Sequence, residues 1–244
     1  VFGNMADMEK IMDIAKKYNL KVLEDATEAL GTYYTEGKYK GKYAGTIGNI
    51  GVLSFNANKI ITTGGGGMVV GDNEELVEKV RFLSSQAKKD PLYFIHDEIG
   101  YNYRMLNLQA ALGTSQIDRL ENFIETKIKN YKIYKEELEK IEGLEILPFR
   151  EKIRPNHWFY SLKIDKDKYG IGRDELLKRL VESDIQTRPI WGLIHQQKPY
   201  ISYESYEMEK SLYYYDRVLN LPCSSNLTEK EVYQVIEKIR EFKK

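Results

Sequence analysis

The chain has 244 residues, and its 37 basic and 37 acidic side chains cancel. With 42% hydrophobic and 30% charged residues it has ordinary globular composition, and its length allows two modest domains. The charge balance gives no electrostatic reason for nucleic acid or an anionic membrane as partner, no apolar run is long enough to span a bilayer, and the single cysteine, Cys223, excludes an internal disulfide framework.

A lone cysteine fits a reducing cytoplasm and reads first as a small buried thiol. No signal-peptide pattern opens the chain. Val1-Phe2-Gly3 leads straight toward a helix without a Met, so the chain is expected to begin in mid-architecture, as a fragment or processed product. Met8, Ile11, Met12 and Ala15 recur at helical spacing within Met5 to Tyr18, and Asn19 closes that helix. Lys21 to Asp25 follows as a short strand, Ile50 to Phe55 as a second and Gly67 to Gly71 as a third. A helix from Asn73 to about Gln86 is capped by Asp72 or Asn73. This alternation predicts an α/β domain around a parallel or mixed sheet.

From Met105 to Ile141 the pattern predicts one long helical stretch, ended by Gly143. Beyond it come strands at Leu144–Leu147 and Trp158–Ile164, then helices near Arg173–Ser183 and Thr228–Lys243, a smaller α+β domain. The expected division is residues 1–120 and 121–244. Six tyrosines between Tyr200 and Tyr215 read as an amphipathic packing surface.

Three segments carry candidate chemistry. In Leu23-Glu24-Asp25-Ala26-Thr27-Glu28-Ala29, a carboxylate at the end of a buried strand needs a cation or donor to meet it. A protonated ring nitrogen is such a partner, although Asp25 alone reads first as a helix N-cap or turn. In Ser54-Phe55-Asn56-Ala57-Asn58-Lys59, followed by Ile60 to Gly67, a lysine sits between a strand and a glycine run. A desolvated lysine there can form an imine, and Ser54 has a hydroxyl to donate to a phosphate. A surface lysine beside a flexible loop, or a nucleotide phosphate cradle, stays open on this segment alone. No Gly-Lys-Ser/Thr occurs, which counts against a P-loop. In Gly100-Tyr101-Asn102-Tyr103-Arg104-Met105, polar residues at the start of a predicted helix suit an anion site, or a plain N-cap at Asn102 or Asn107 with an exposed arginine.

Taken together, the ordered segments resemble the DegT/DnrJ/EryC1 family of pyridoxal-phosphate (PLP) sugar aminotransferases. The likeness rests on Glu-Asp-Ala-x-x-Ala, Ser-Phe-x-x-x-Lys with Thr-Thr-Gly-x-Gly-Gly, Gly-Tyr-Asn-Tyr-Arg-Met, and Thr187-Arg188-Pro189-Ile190-Trp191 followed by His195. It covers essentially the whole chain. It implies an aspartate-aminotransferase-like α/β fold (PLP transferase type I), with an N-terminally incomplete large domain and a small α+β C-terminal domain. In that fold a preceding portion carries the loop that grips the phosphate and the aromatic residue that stacks on the ring.

The resemblance also implies roles. Lys59 holds the cofactor as a Schiff base and shuttles a proton, Asp25 pairs with the ring nitrogen, and Ala26 packs against the ring. Glu28 falls where many relatives have Gln or His near the phenolic oxygen, a departure that alters local protonation. Ser54 contacts the phosphate, and Asn102 reaches the phosphate of a neighbouring subunit, so a homodimer with shared active sites is expected. Arg188 and His195 lie in a segment that approaches substrate, with a structural salt bridge as the other reading of Arg188. No residue is assigned to a metal. A branch of the family with His in place of this lysine dehydrates sugars, so Lys59 favours transamination.

The implied reaction moves an amino group from glutamate to a nucleotide-linked keto-sugar. Glu28, the glycine run and the Arg188–Tyr200 segment look most like aminotransferases of bacterial legionaminic acid and bacillosamine pathways, which act at C4 of a UDP-linked 4-keto-6-deoxy-N-acetylhexosamine for surface glycans. Two alternatives stand beside this: a non-catalytic fragment or partial PLP-binding scaffold, and a nucleotide-binding regulator that uses the glycine run.

Overall fold

The computed structural model describes residues 1–90 and 92–244. The chain runs α1 (Met8–Tyr18), β1 (Leu23–Asp25), β2 (Tyr33–Tyr34), β3 (Ile50–Ser54), β4 (Gly67–Val70) and α2 (Glu74–Ser84). It continues through β5 (Lys88–Asp90), β6 (Ile95–His96), α3 (Asn107–Ile117), α4 (Leu120–Leu138), β7 (Leu144–Ile146), β8 (Ile153–Arg154) and β9 (Tyr160–Ile164). The last elements are α5 (Lys166–Tyr169), α6 (Arg173–Glu182), β10 (Arg188–Pro189), α7 (Glu209–Tyr215), β11 (Val218–Leu221) and α8 (Glu229–Glu241). Among the described residues no helix is long and apolar enough to cross a membrane.

Local chemistry sets the helix ends. Asp7 accepts from Lys10 N at the start of α1, and Asn19 ends it at φ 52°, in the left-handed conformation that asparagine tolerates. Asn73 caps α2 by accepting from Leu76 N at 2.9 Å. Thr228 and Glu231 cap α8 reciprocally. The expected single helix from Met105 to Ile141 is instead two, broken after Ile117. Just before the break the Thr114 and Ser115 hydroxyls donate to the carbonyls of Ala110 and Leu112, which offers the backbone a local alternative to the helical ladder.

The residues form two compact units, Val1–Glu125 with Phe149–Trp158, and Thr126–Pro148 with Phe159–Lys244. This differs from a single division at residue 120, because Phe149–Trp158 returns to the first unit. That return is held by backbone pairing: β8 runs antiparallel to β2, with Tyr33 opposite Arg154.

The first unit is built on a mixed sheet in the order β1-β3-β4. β1 lies parallel to β3, with Asp25 opposite Val52, and β4 is antiparallel to β3, with Gly67 opposite Ser54. Asp25 and Ser54 therefore stand at the same edge of the sheet, where parallel strands release their loops. A core of Met5, Met8, Ala26, Ala29, Tyr34 and Ala44 supports that edge. The second unit is an antiparallel sheet, β10-β11-β9-β7. Its fully buried side chains include Leu138, Tyr160, Leu162, Leu176, Leu180, Leu219 and Ile236.

Candidate active site

At the tip of β1, the Asp25 carboxylate is exposed, and Glu24 is the buried carboxylate of the strand. This corrects the expectation of a buried Asp25: the strand alternates, so two adjacent acids face opposite ways. Asp25 Oδ1 accepts from the Thr27 hydroxyl at 2.6 Å and from Thr27 N at 3.1 Å. The Thr27 hydroxyl bond chiefly, and the positive charge of Lys59 beyond it, hold Asp25 below the usual carboxylate value against the opposing effect of partial burial. Asp25 is thus a turn-forming residue and a persistent anion at once.

Glu24 was not singled out from the sequence. Its Oε1 accepts from Ile47 N at 2.6 Å and Gly48 N at 2.5 Å, and its Oε2 from Gly45 N at 2.9 Å. Three backbone donors stabilise the buried charge and tie the Gly45–Gly48 loop beneath β1. Alternation alone could not have found it, because the apolar Leu23 is itself exposed and the phase of the pattern is set by packing. Ala26 is buried, and its N–H donates to Val52 O at 3.0 Å, which locks the start of the next loop onto β3.

The loop from Phe55 to Gly66 carries Lys59. Thr63 N donates to Phe55 O at 2.9 Å and Phe55 N to Gly66 O at 3.0 Å, so the glycine run closes a hairpin onto β3. A Cβ on Gly67 would lie 2.5 Å from the Leu53 carbonyl oxygen, which is why glycine is required there. Gln116 of α3 staples the loop by exchanging hydrogen bonds with Thr62 N and O. Lys59 N donates to Asn56 O at 3.0 Å, and its Nζ lies 4.2 Å from the ring centroid of Trp158. Ser54 Oγ accepts from Asn56 N at 3.3 Å.

Glu28 is half-buried and accepts from Phe2 N at 2.6 Å. Asn102 does not begin a helix. α3 starts at Asn107, with Leu106 in the capping position and its N–H donating to Gln109 Oε1 at 3.0 Å. Asn102 is exposed in an extended segment, bridged to Ser85 and continued by Tyr103 N donating to Ser84 O at 2.9 Å. Pairing with the end of α2 holds that segment extended.

Arg188 and His195 belong to the second unit and line different cavities. Arg188, exposed on β10, forms no salt bridge among the described residues, and its Nη1 donates to Thr187 O at 3.1 Å. It lines a cleft of about 440 Å³ with Asn220 and Cys223. His195 lines a cavity of about 500 Å³ with Tyr200, Tyr203 and Tyr206, and its buried Nδ1 has no partner among the described residues. The first unit thus brings Asp25, Ala26, Ser54 and Lys59 to one sheet edge.

This sheet, with its motif loops, is matched by the profile of the DegT/DnrJ/EryC1/StrS aminotransferase family over residues 1–240, and the chain belongs to that family. A Bacillus subtilis (strain 168) protein provisionally named pyridoxal phosphate-dependent aminotransferase EpsN is 38% identical over 242 residues, covering 97% of this chain and 60% of that protein. GDP-perosamine synthase of Escherichia coli O157:H7 is 35% identical over 243 residues, covering 99% and 64%. The crystal structure of DesI in the presence of its TDP-sugar product superposes with a TM-score of 0.88 at 25% identity, covering 98% of this chain and 60% of that one. The fold is the expected aspartate-aminotransferase-like one. The chain spans 60% and 64% of the length of these two curated relatives.

The first unit's residues fit pyridoxal phosphate chemically. The group asks for an amine to bond, an anion for its ring nitrogen and donors for its phosphate. Lys59, the ionised Asp25 and the Ser54 hydroxyl are of those kinds and lie on one edge.

Proposed function

We propose that this edge is the lysine side of a pyridoxal phosphate site, and that the complete protein moves an amino group from glutamate to C4 of a UDP-linked 4-keto-6-deoxy-N-acetylhexosamine in bacterial surface-glycan synthesis. The observation that carries the reading is the placement of an anion held ionised, Asp25, and an amine, Lys59, near enough for the lysine charge to act on the carboxylate.

Pyridoxal phosphate, when bound, withdraws electrons from the substrate carbon and carries the amino group between donor and acceptor. Asp25 would keep the ring nitrogen protonated, because its own negative charge is secured by Thr27. Lys59 would bond the group, and its Nζ would hold and move a proton. Ala26 is small and buried, so it would leave room for the ring that a larger side chain would take. Ser54 would donate its hydroxyl to the phosphate, and Glu28 would serve near the phenolic oxygen. Asn102 would serve a neighbouring subunit from its exposed extended segment, and Arg188 and His195 would meet substrate. A cytoplasmic homodimer is part of the reading. The uncovered apolar side chains of Tyr103, Leu106 and Leu108 support association.

C4 and the UDP group rest on the motif likeness; among the names of similar proteins GDP, TDP and UDP all occur, the last in a Campylobacter jejuni transaminase 27% identical to this chain. The test has two stages. The purified chain loaded with pyridoxal phosphate is expected to be yellow, with an imine band that Lys59→Ala abolishes. The complete protein is then offered UDP-, GDP- and TDP-linked 4-keto-sugars with glutamate, and the UDP-linked N-acetyl sugar is expected to turn over fastest. A protein that stays colourless and cannot be loaded sinks the enzymatic reading of this chain in favour of a silent scaffold. Faster turnover of a GDP or TDP sugar overturns the substrate alone.

A further inference from the structure

The segment Phe149–Trp158 returns to the first unit and is fastened there more firmly than a connection requires. Asn156 is fully buried. Its N–H donates to the Thr32 hydroxyl at 3.0 Å, its Nδ2 to the carbonyls of Glu28 and Leu30 at 2.9 Å each, and its Oδ1 accepts from Trp158 N at 2.9 Å. His157 adopts φ 51°, a left-handed conformation uncommon for a residue with a side chain. These constraints deliver Trp158, only 3% exposed, against the lysine loop. Its indole Nε1–H donates to Asn58 O at 2.9 Å, the carbonyl immediately before Lys59. Its ring meets Lys59 Nζ at 4.2 Å from the centroid.

We propose that Trp158 is a positioning residue for Lys59: one indole holds both the backbone that carries the lysine and the amine at its tip. The inference rests on Lys59 as the cofactor's anchor and assigns a resting place to its amine. An aromatic face attracts an ammonium through its quadrupole, most strongly when the ring is indole and the pair is partly desolvated. The seat therefore holds a flexible four-carbon stem with its amine against one ring face.

The consequence is a change in the reactivity of one amine that a purely structural tryptophan would not cause. Lys59 in the cofactor-free 244-residue chain is acylated competitively with trace anhydride at one fixed pH, and the labelled peptide is quantified by mass spectrometry. The labelling of Lys59 relative to the other lysines is expected to rise about twofold to about fivefold in Trp158→Ala, and by less in Trp158→Phe, which keeps an aromatic face without the indole N–H. Other lysines are expected to keep their relative labelling. Thermal unfolding is followed in parallel, and if Trp158→Ala does not fold the Phe variant decides. Unchanged relative labelling of Lys59 in a folded variant overturns the proposal, even where the melting temperature drops. Because no cofactor is present, this result is independent of the imine band: a chain with that band but no change in Lys59 labelling keeps the cofactor reading and loses the role of Trp158.

Discussion

The two units bury their apolar side chains to different degrees. In the second, β11 is buried at every position and β9 at all but one, and Leu219 and Leu162 are wholly inaccessible. In the first, α3 buries no residue although its composition is apolar, and Leu108 is 85% exposed. The unit with the better core carries none of the cofactor candidates. The unit that gathers Asp25, Ser54 and Lys59 leaves apolar surface open, and the exposed Leu108, Leu112 and Ile117 suit α3 to being covered. The better core and the cofactor candidates therefore lie in different parts of the chain.

Cavity-forming substitutions test that contrast most severely. Leu219→Ala is expected to cost about 2–5 kcal/mol in urea unfolding, whereas Leu108→Ala costs less than about 0.5 kcal/mol in the same chain. Equal losses would show that α3 is buried after all and would break the comparison. If α3 is covered by a second copy, Leu108→Ala acts on association instead, which sedimentation reads directly.

Glu24→Gln probes the strongest polar element of the first unit. A carboxamide must turn its NH2 toward one of three backbone donors, so a cost of about 1–3 kcal/mol is expected. Urea unfolding measures it. A loss of a few tenths would mean that the Gly45–Gly48 loop holds without the charge.

The smallest effect concerns alkaline pH and belongs to the second unit. Burial pushes the phenols of Tyr134, Tyr160 and Tyr169 above their ordinary value of 10.0 and the Cys223 thiol above 9.0. A raised folded value keeps the proton on the native state while the unfolded chain releases it. The contribution is thus fully present below about pH 9 and is lost as pH rises through 10 and beyond. Burial lowers Lys127 and acts in the opposite sense, as a single group against these four. Melting temperatures are expected to decline above pH 9, and Tyr134→Phe is expected to blunt the decline. At neutral pH that variant changes stability by less than about 0.5 kcal/mol, because the Tyr134 hydroxyl has no hydrogen-bond partner among the described residues. A flat alkaline profile would contradict the burial of these phenols.

Much of the architecture could be read in advance where the signal is local. Asn19, Asn73 and Thr228 mark helix ends because a short polar side chain satisfies nearby backbone donors or tolerates a left-handed residue. The strands around Val52 and Leu162 follow from short apolar runs. The break between α3 and α4 was not visible, since hydroxyls that compete with the ladder look like ordinary helical residues. Nor was the true helix start, because Asn102 and Asn107 have better capping side chains than Leu106, which takes the position through its neighbour Gln109.

By itself, the sequence determined the family, through ordered motifs whose residue types are demanded by one cofactor's chemistry, and it named Lys59 and Asp25. Tertiary structure alone decided which of two adjacent acids is buried, since a strand's alternation has a phase that only packing sets. It alone brought Trp158, a hundred residues further along the chain, to the amine of Lys59. Contacts at that separation leave no periodicity to read, because they are made by the return of a segment and not by any repeat within it.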